Sequence, residues 1–323
     1  MKNLSIVLQS PGDVSQFEAV EQAVPQPGAG EVVIRQEAIG VNFLDIYQRK
    51  GIYALPSYPA VIGAEAAGTI VALGEGVERL AAGDHVAYAG PPIGAYCSLR
   101  TIAAERVIKL PADVSMETAA VSLLKGMTAV MLLEKTFAVK SGDTVLVHAA
   151  AGGLGSILVR GAKARGATVI GVTSTAEKAE IARSLGADHV IVGREIDLAK
   201  EVKQLTEERG VDVAYDGIGG DMLVKTLRSV RPFGTAVTVG QAGGPIPPIS
   251  VEELRPGKNL SHPSIMAWCS EVARYREVAE AAIRDMTAGI ASDIGGTYPL
   301  VHVAKAHEAM EAGRTTGSLL LIP

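Results

Sequence analysis

Thr144-Val145-Leu146-Val147-His148-Ala149-Ala150-Ala151-Gly152-Gly153-Leu154-Gly155 is the stretch whose reading decides the fold. A short apolar run gives way to a turn of alanines and glycines, and an amphipathic segment follows over 155–165. From Ala150 to Gly155 the turn fits G-x-G-x-x-G, with alanine in the first glycine position. Small residues at those places let the backbone approach a pyrophosphate, whose charge then rests at a helix N-terminus. Such turns also occur for packing alone, so the order strand, turn, helix and second strand carries the argument for a dinucleotide.

Outward from that turn, short apolar strands are expected at 168–172, 189–192, 211–215 and 235–239, alternating with amphipathic segments at 176–185, 198–209 and 222–228. Runs apolar on both faces and separated by helices signal a parallel sheet covered on both sides. The expectation is an α/β Rossmann domain, doubly wound, over 123–260. Toward the N-terminus, strands at 4–8, 32–35 and 68–73 and a turn into a strand at 83–87 suggest a mostly β domain over 1–122. Beyond 260 come a helix (271–289), a strand near 298–300, a helix (303–312) and a strand (318–322). Residues 261–323 are expected to return to the first domain.

The 323 residues exceed what one core usually serves. With 4% aromatics, Val, Ala, Ile and Leu must do most of the packing. A net charge of −5 and no basic run argue against a nucleic-acid partner. Cys97 and Cys269 form neither a metal-spacing pattern nor a disulfide framework. The N-terminus does not read as a signal peptide. The longest apolar stretch, 119–133, is interrupted by Lys125 and Gly126 and reads as too short to span a bilayer. These features point to a soluble cytoplasmic protein with no membrane partner.

An NAD site usually carries an acidic residue at the tip of the second strand, to hold the ribose 2′-hydroxyl. Here Thr173 and Ser174 stand there, with Lys178 in the following helix turn. A missing carboxylate removes repulsion of a 2′-phosphate and a lysine adds attraction, so NADPH is favoured. Glu177 reads as helix-dipole complementation, and Lys178 has an alternative reading as a solvated helix lysine.

Gly40-Val41-Asn42-Phe43-Leu44-Asp45, Gly63-Ala64-Glu65-Ala66-Ala67-Gly68, Ala81-Ala82-Gly83-Asp84-His85-Val86 and Leu124-Lys125-Gly126-Met127-Thr128 resemble the medium-chain dehydrogenase/reductase superfamily. Within it, 148–155 and the ending Gly317-Ser318-Leu319-Leu320-Leu321-Ile322-Pro323 resemble the zeta-crystallin-type quinone oxidoreductases, end to end and in register. The resemblance implies a GroES-like catalytic domain plus a Rossmann domain, a homodimer, and an active site in the interdomain cleft. Zinc-dependent relatives carry histidine where this chain has Ala64, cysteine near Asn42, and a four-cysteine lobe that two isolated cysteines cannot build. His302 and His307 are not spaced as i,i+4 ligands. No metal is therefore expected. Without a Lewis acid the acceptor must itself stabilise charge, as a quinone or an activated alkene does.

The resemblance places Asn42 and Tyr47 at the nicotinamide side and Lys125 with Thr128 beside the cofactor. Catalytic candidates are Asn42, Tyr47 and Lys125; each has a plainer reading, as a turn residue, a half-buried tyrosine with its hydroxyl at the surface, and a snorkelling lysine. Cofactor candidates are those three with Thr128, Gly152, Gly153, Leu154, Gly155, Thr173, Ser174, Lys178, Arg194, Gly217, Val239, Gly240 and Gln241. Three departures bear on cofactor affinity: Val192-Gly193-Arg194 replaces a family tyrosine, His262 a frequent arginine, and Arg314 is shifted by one place. The reading is NADPH-dependent reduction of a quinone-like acceptor. Alternatives are reduction of an α,β-unsaturated carbonyl, with Tyr47 as proton source, or a crystallin-like or RNA-binding protein.

Overall fold

The computed structural model describes residues 2–323. The chain divides into two compact units, Thr128–Ser264 and Met1–Met127 with Ile265–Pro323.

In Thr128–Ser264, six strands form a parallel sheet in the order His189–Val192, Thr168–Thr173, Thr144–His148, Val211–Asp216, Val230–Thr238, Asn259–Ser261. In chain order these are strands three, two, one, four, five and six, the doubly wound arrangement with its order reversing between the first and the fourth. Helices Gly153–Ala164, Ala176–Ser184, Leu198–Leu205 and Met222–Ser229 supply the crossovers. Leu146, Ile170, Ile191, Leu198, Val202, Ala214 and Leu227 pack in its core.

Three boundaries depart from the periodicity. The strand expected at 235–239 begins at Val230: Val230 pairs with Val211 and Thr235 with Val213, and the residues between, including Phe233 at φ 61°, bulge out of register. The helix expected to reach 209 ends at Leu205, where the Thr206 hydroxyl donates to Val202 O at 2.8 Å and accepts from Gly210 N at 2.9 Å. The sixth strand, three polar-flanked residues at the sheet edge, gave no periodic signal.

In the other unit a seven-stranded sheet runs Ile294–Pro299, Ser318–Ile322, Glu31–Val41, Glu65–Leu73, His85–Ala89, Ile108–Lys109, with Leu99–Ala103 paired to Glu31–Val41. Phe17–Gln22, Asn3–Leu8 and Ala60–Val61 form a smaller sheet. The last strand closes onto the first third of the chain through Leu319–Val41 and Leu321–Ile39.

Helix Met116–Val130 continues as a π-helical turn, Met131–Thr136. The apolar stretch read as too short is thus 21 helical residues, long and apolar enough by length and composition to cross a membrane, yet mostly buried inside the protein as a core helix is.

Candidate active site

The strand Thr144–His148 runs directly into the glycine-rich turn. Ala149 takes φ 48°, and its carbonyl accepts from Gly152 N at 2.7 Å. Gly152 is the N-cap of Gly153–Ala164, and no side chain caps that helix end. Its first N–H groups are therefore served by no protein cap, which suits a bound anion. A Cβ on Gly155 would lie 2.2 Å from Ala149 O, so the last glycine of the pattern is what lets helix and strand pack. The alanine in the first position also has a structural reason. A Cβ on Gly171 of the adjacent strand would lie 2.9 Å from that of Ala150, so the space Gly171 leaves is filled by the Ala150 methyl.

At the tip of the second strand Thr173 is buried, and its hydroxyl donates to Thr175 O at 3.2 Å. Thr175, unremarked in the sequence, is the helix cap: its Oγ1 accepts from Lys178 N at 3.3 Å. Glu177 is exposed, its carboxyl held low by a backbone N–H and by Thr175, as a helix-start acid should be. The Lys178 ammonium is held below its ordinary value, first by partial burial and then by the charge of Arg194. Two cations that disfavour each other are an arrangement a phosphate dianion relieves. Gly193 takes φ 129° and donates its N–H to Thr173 O at 2.9 Å, a backbone that suits glycine.

Gly217 and the segment 239–241 come together at the ends of the fourth and fifth strands. Val239 N donates to Asp216 O at 2.7 Å and Ala242 N to Gly217 O at 3.2 Å. Gly240 is buried and Gln241 half-buried.

In the other unit, Asn42 and Lys125 meet at Glu65. Asn42 Nδ2 donates to Glu65 Oε1 at 2.9 Å, and Lys125 Nζ donates to the same oxygen at 2.7 Å. Leu124 N donates to Oε2 at 2.7 Å. Glu65 is 0% exposed and Lys125 11%. Lys125 therefore neither snorkels out nor stands unpaired; it finds the acceptor an ammonium in an apolar neighbourhood requires. A Cβ on Gly40 would lie 2.5 Å from Glu65 Oε1 and 2.1 Å from Ala120 O, so that glycine makes the room for the cluster. Thr128 lies half-buried on the same helix, Met116–Val130, as Lys125.

Asn42 begins helix Phe43–Arg49, its N–H donating to Asp45 Oδ2 at 2.8 Å. Tyr47, on that helix, is buried rather than half-buried, its ring edge-on to Tyr53 at 5.3 Å. Asp45 Oδ2 also accepts from Tyr96 OH at 2.8 Å, and Tyr96 OH lies 3.0 Å from His307 Nε2. Burial pushes the Asp45 carboxyl up to about 7 and His307 down to about 3.

This geometry matches known proteins along the whole chain. Residues 28–112 match the alcohol dehydrogenase GroES-like domain and 153–284 the zinc-binding dehydrogenase domain. A 2-haloacrylate reductase from a Burkholderia species is 40% identical over 99% of both chains. Quinone oxidoreductase 1 of Escherichia coli is 38% identical over 97% of both. The structure of an Escherichia coli quinone oxidoreductase complexed with NADPH superimposes with a TM-score of 0.94, covering 99% of this chain and 100% of that one at 37% identity.

The chain belongs to the quinone oxidoreductase family.

Within this quinone oxidoreductase fold, Ala64 is fully buried and its methyl side chain offers no ligating atom. Cys97 and Cys269 are free and buried, and burial pushes their thiols up to about 11 and about 12. Among the described residues no three His, Cys, Asp or Glu side chains are grouped to hold a metal ion. Sequence reasoning singled out Asn42 and Lys125 but missed Glu65, which joins them. The signal was present: a carboxylate inside the apolar run 64–67 must find a cation or several donors. Asp45 carried a signal too, three residues after an Asn at a helix start.

Proposed function

We propose that this protein reduces quinones with NADPH and without zinc. The observation that carries the reading is the tip of the second strand, where Thr173 and Ser174 stand in place of a carboxylate that would repel a 2′-phosphate and Lys178 follows in the first turn of the next helix. Gly152, Gly153, Leu154 and Gly155 would hold the pyrophosphate, and Gly217, Val239, Gly240, Gln241 and Thr128 would line the cofactor's course. When bound, NADPH supplies the hydride that reduces the acceptor.

The chain's own residues supply donors and shape. Asn42 and Lys125, fixed through Glu65, present N–H groups that can hold an acceptor oxygen or the nicotinamide amide. Tyr47 offers a phenol proton. No strong acid–base pair is needed, because a quinone stabilises the charge it receives. We assign cofactor binding to the unit Thr128–Ser264 and catalysis to the unit Met1–Met127 with Ile265–Pro323. We read the protein as a cytoplasmic homodimer that binds neither nucleic acid nor membrane, on the net charge of −5 and the family's usual assembly.

Parallel titrations with NADPH and NADH test the cofactor. Lys178→Ala should weaken NADPH binding on the order of tenfold with little change for NADH; an unchanged preference refutes the role given to Lys178. The similarity to a 2-haloacrylate reductase favours a second reading, reduction of an activated alkene with Tyr47 as proton donor. NADPH oxidation with 1,4-benzoquinone, a simple enone and 2-chloroacrylate separates the two, and activity on the alkenes alone would sink the first.

A further inference from the structure

Three buried polar side chains of Thr128–Ser264 have no part in the reading above: His148, Asp216 and Thr226. They meet at the middle of the parallel sheet. His148 ends the first strand and Asp216 ends the fourth, and these strands are neighbours across the point where the strand order reverses. In open parallel sheets a dinucleotide lies at that point, beyond the carboxyl ends of the strands.

Thr226, on helix Met222–Ser229, joins the two strand ends. Its Oγ1 donates to Asp216 Oδ2 at 2.7 Å and lies 2.8 Å from His148 Nε2. A hydroxyl has one proton to give. Met222 O, 3.0 Å away, is a neutral competitor, so the carboxylate takes the proton. The threonine oxygen must then accept from His148, which fixes the ring as the Nε2–H tautomer. Burial lowers the affinity of His148 for a second proton and keeps the ring neutral. The other carboxylate oxygen, Asp216 Oδ1, accepts from Ile218 N at 2.7 Å and Gly219 N at 3.0 Å.

Both ends of this chain of bonds are attached to backbone that the cofactor needs. His148 precedes Ala149, whose φ of 48° opens the pyrophosphate turn. Ile218 and Gly219 carry the loop against which 239–243 lies, with Gly243 N donating to Ile218 O at 2.7 Å. We propose that the Asp216–Thr226–His148 chain holds the pyrophosphate turn and the 217–220 loop in one fixed relation, making Thr226 a positioning residue for NADPH binding. The proposal rests on the assignment of 149–155 as the NADPH cradle.

Fluorescence titration of NADPH onto the full-length protein tests it, with thermal unfolding measured alongside. Thr226→Val keeps the shape and removes the hydroxyl, and should raise the NADPH Kd on the order of tenfold. The kinetic loss should fall on KM for NADPH more than on kcat, and Thr226→Ser should restore most of the affinity. A lowered Tm with a wild-type Kd would overturn the proposal and leave Thr226 merely structural. Asp216→Asn gives a second, independent measurement. Its amide would donate to Thr226, whose proton then turns to Met222 O or His148, and NADPH binding should weaken as the charge-assisted bond is lost. Should Thr226→Val not fold, a wild-type Kd in Asp216→Asn overturns the proposal by itself. Wild-type protein that binds no NADPH refutes the cradle assignment, and the proposal with it; wild-type binding with an unaffected Thr226→Val refutes the network alone.

Discussion

The turn after Thr144–His148 is made of backbone and of side chains left out, whereas the cluster around Glu65 is made of charged side chains taken out of water. In the first, specificity comes from room: Gly155 is needed because its Cβ would strike Ala149 O at 2.2 Å. In the second it comes from balance: one carboxylate answers an ammonium, an amide and a backbone N–H. The difference teaches how each can fail. A turn built on room is broken by adding one methyl group, and a cluster built on balance is broken by removing one charge.

The largest effect should come from the charge. Glu65→Ala leaves the Lys125 ammonium without its counter-charge in a nearly closed place, and should cost about 3–5 kcal/mol of stability. Adding Lys125→Met should recover part of that loss in denaturant unfolding. A single-mutant loss below about 1 kcal/mol would mean the pair behaves like a surface bridge, and the contrast with the turn would collapse.

A methyl at the turn comes next. Gly155→Ala forces the helix start away from Ala149 and should cost about 1–3 kcal/mol, with NADPH affinity falling on the order of tenfold. Unaltered NADPH binding would show that the close approach serves packing only.

The smallest effect sharpens the comparison from within the buried polar group next to Glu65. Folded Asp45 binds its proton more tightly than the unfolded chain does. Its contribution to stability is full below its ordinary 3.8 and is lost as the pH rises through about 7. His307 works in the opposite sense: its contribution is present above its ordinary 6.5 and is lost as the pH falls towards about 3. Between pH 4 and 6.5 the two oppose each other across Tyr96. Relative to wild type, Asp45→Asn should therefore gain stability with rising pH across that window and His307→Gln should lose it. Each slope is bounded by about 1.4 kcal/mol per pH unit. Parallel slopes in urea unfolding would show that the two groups do not titrate as their burial implies.

How much of this was legible in the sequence follows the same division. The turn could be read because its parts are consecutive: strand, small residues and helix follow one another within 144–164. The parallel strands were likewise visible as short apolar runs, to within a residue or two at 144–148, 168–173 and 211–216. Thr175 was missed because capping depends on where the backbone leaves the extended conformation, and Thr173, Ser174 and Thr175 are alike in type. The early start of the strand at Val230 was missed because Pro232 and Gly234 interrupt the apolar run, although the bulge keeps Val230 paired. The apolar stretch 119–133 seemed short because the polar turn after Leu133 hid the continuation of the helix to Thr136.

By itself the sequence determined the alternating strands and helices of the parallel sheet, the succession of strand, small-residue turn and helix over 144–164, and the alanine at position 64, since each depends on residue type at near-neighbour spacing. Only the tertiary structure decided that Asn42 and Lys125 share Glu65, that Gly171 makes room for Ala150, that Lys178 stands near Arg194, and that Thr226 joins His148 to Asp216. These pairs are separated by 16 to 83 residues in the chain. What brings them together is strand pairing and the burial of apolar faces, whose free energy is spread over the whole core and leaves no mark at any one position.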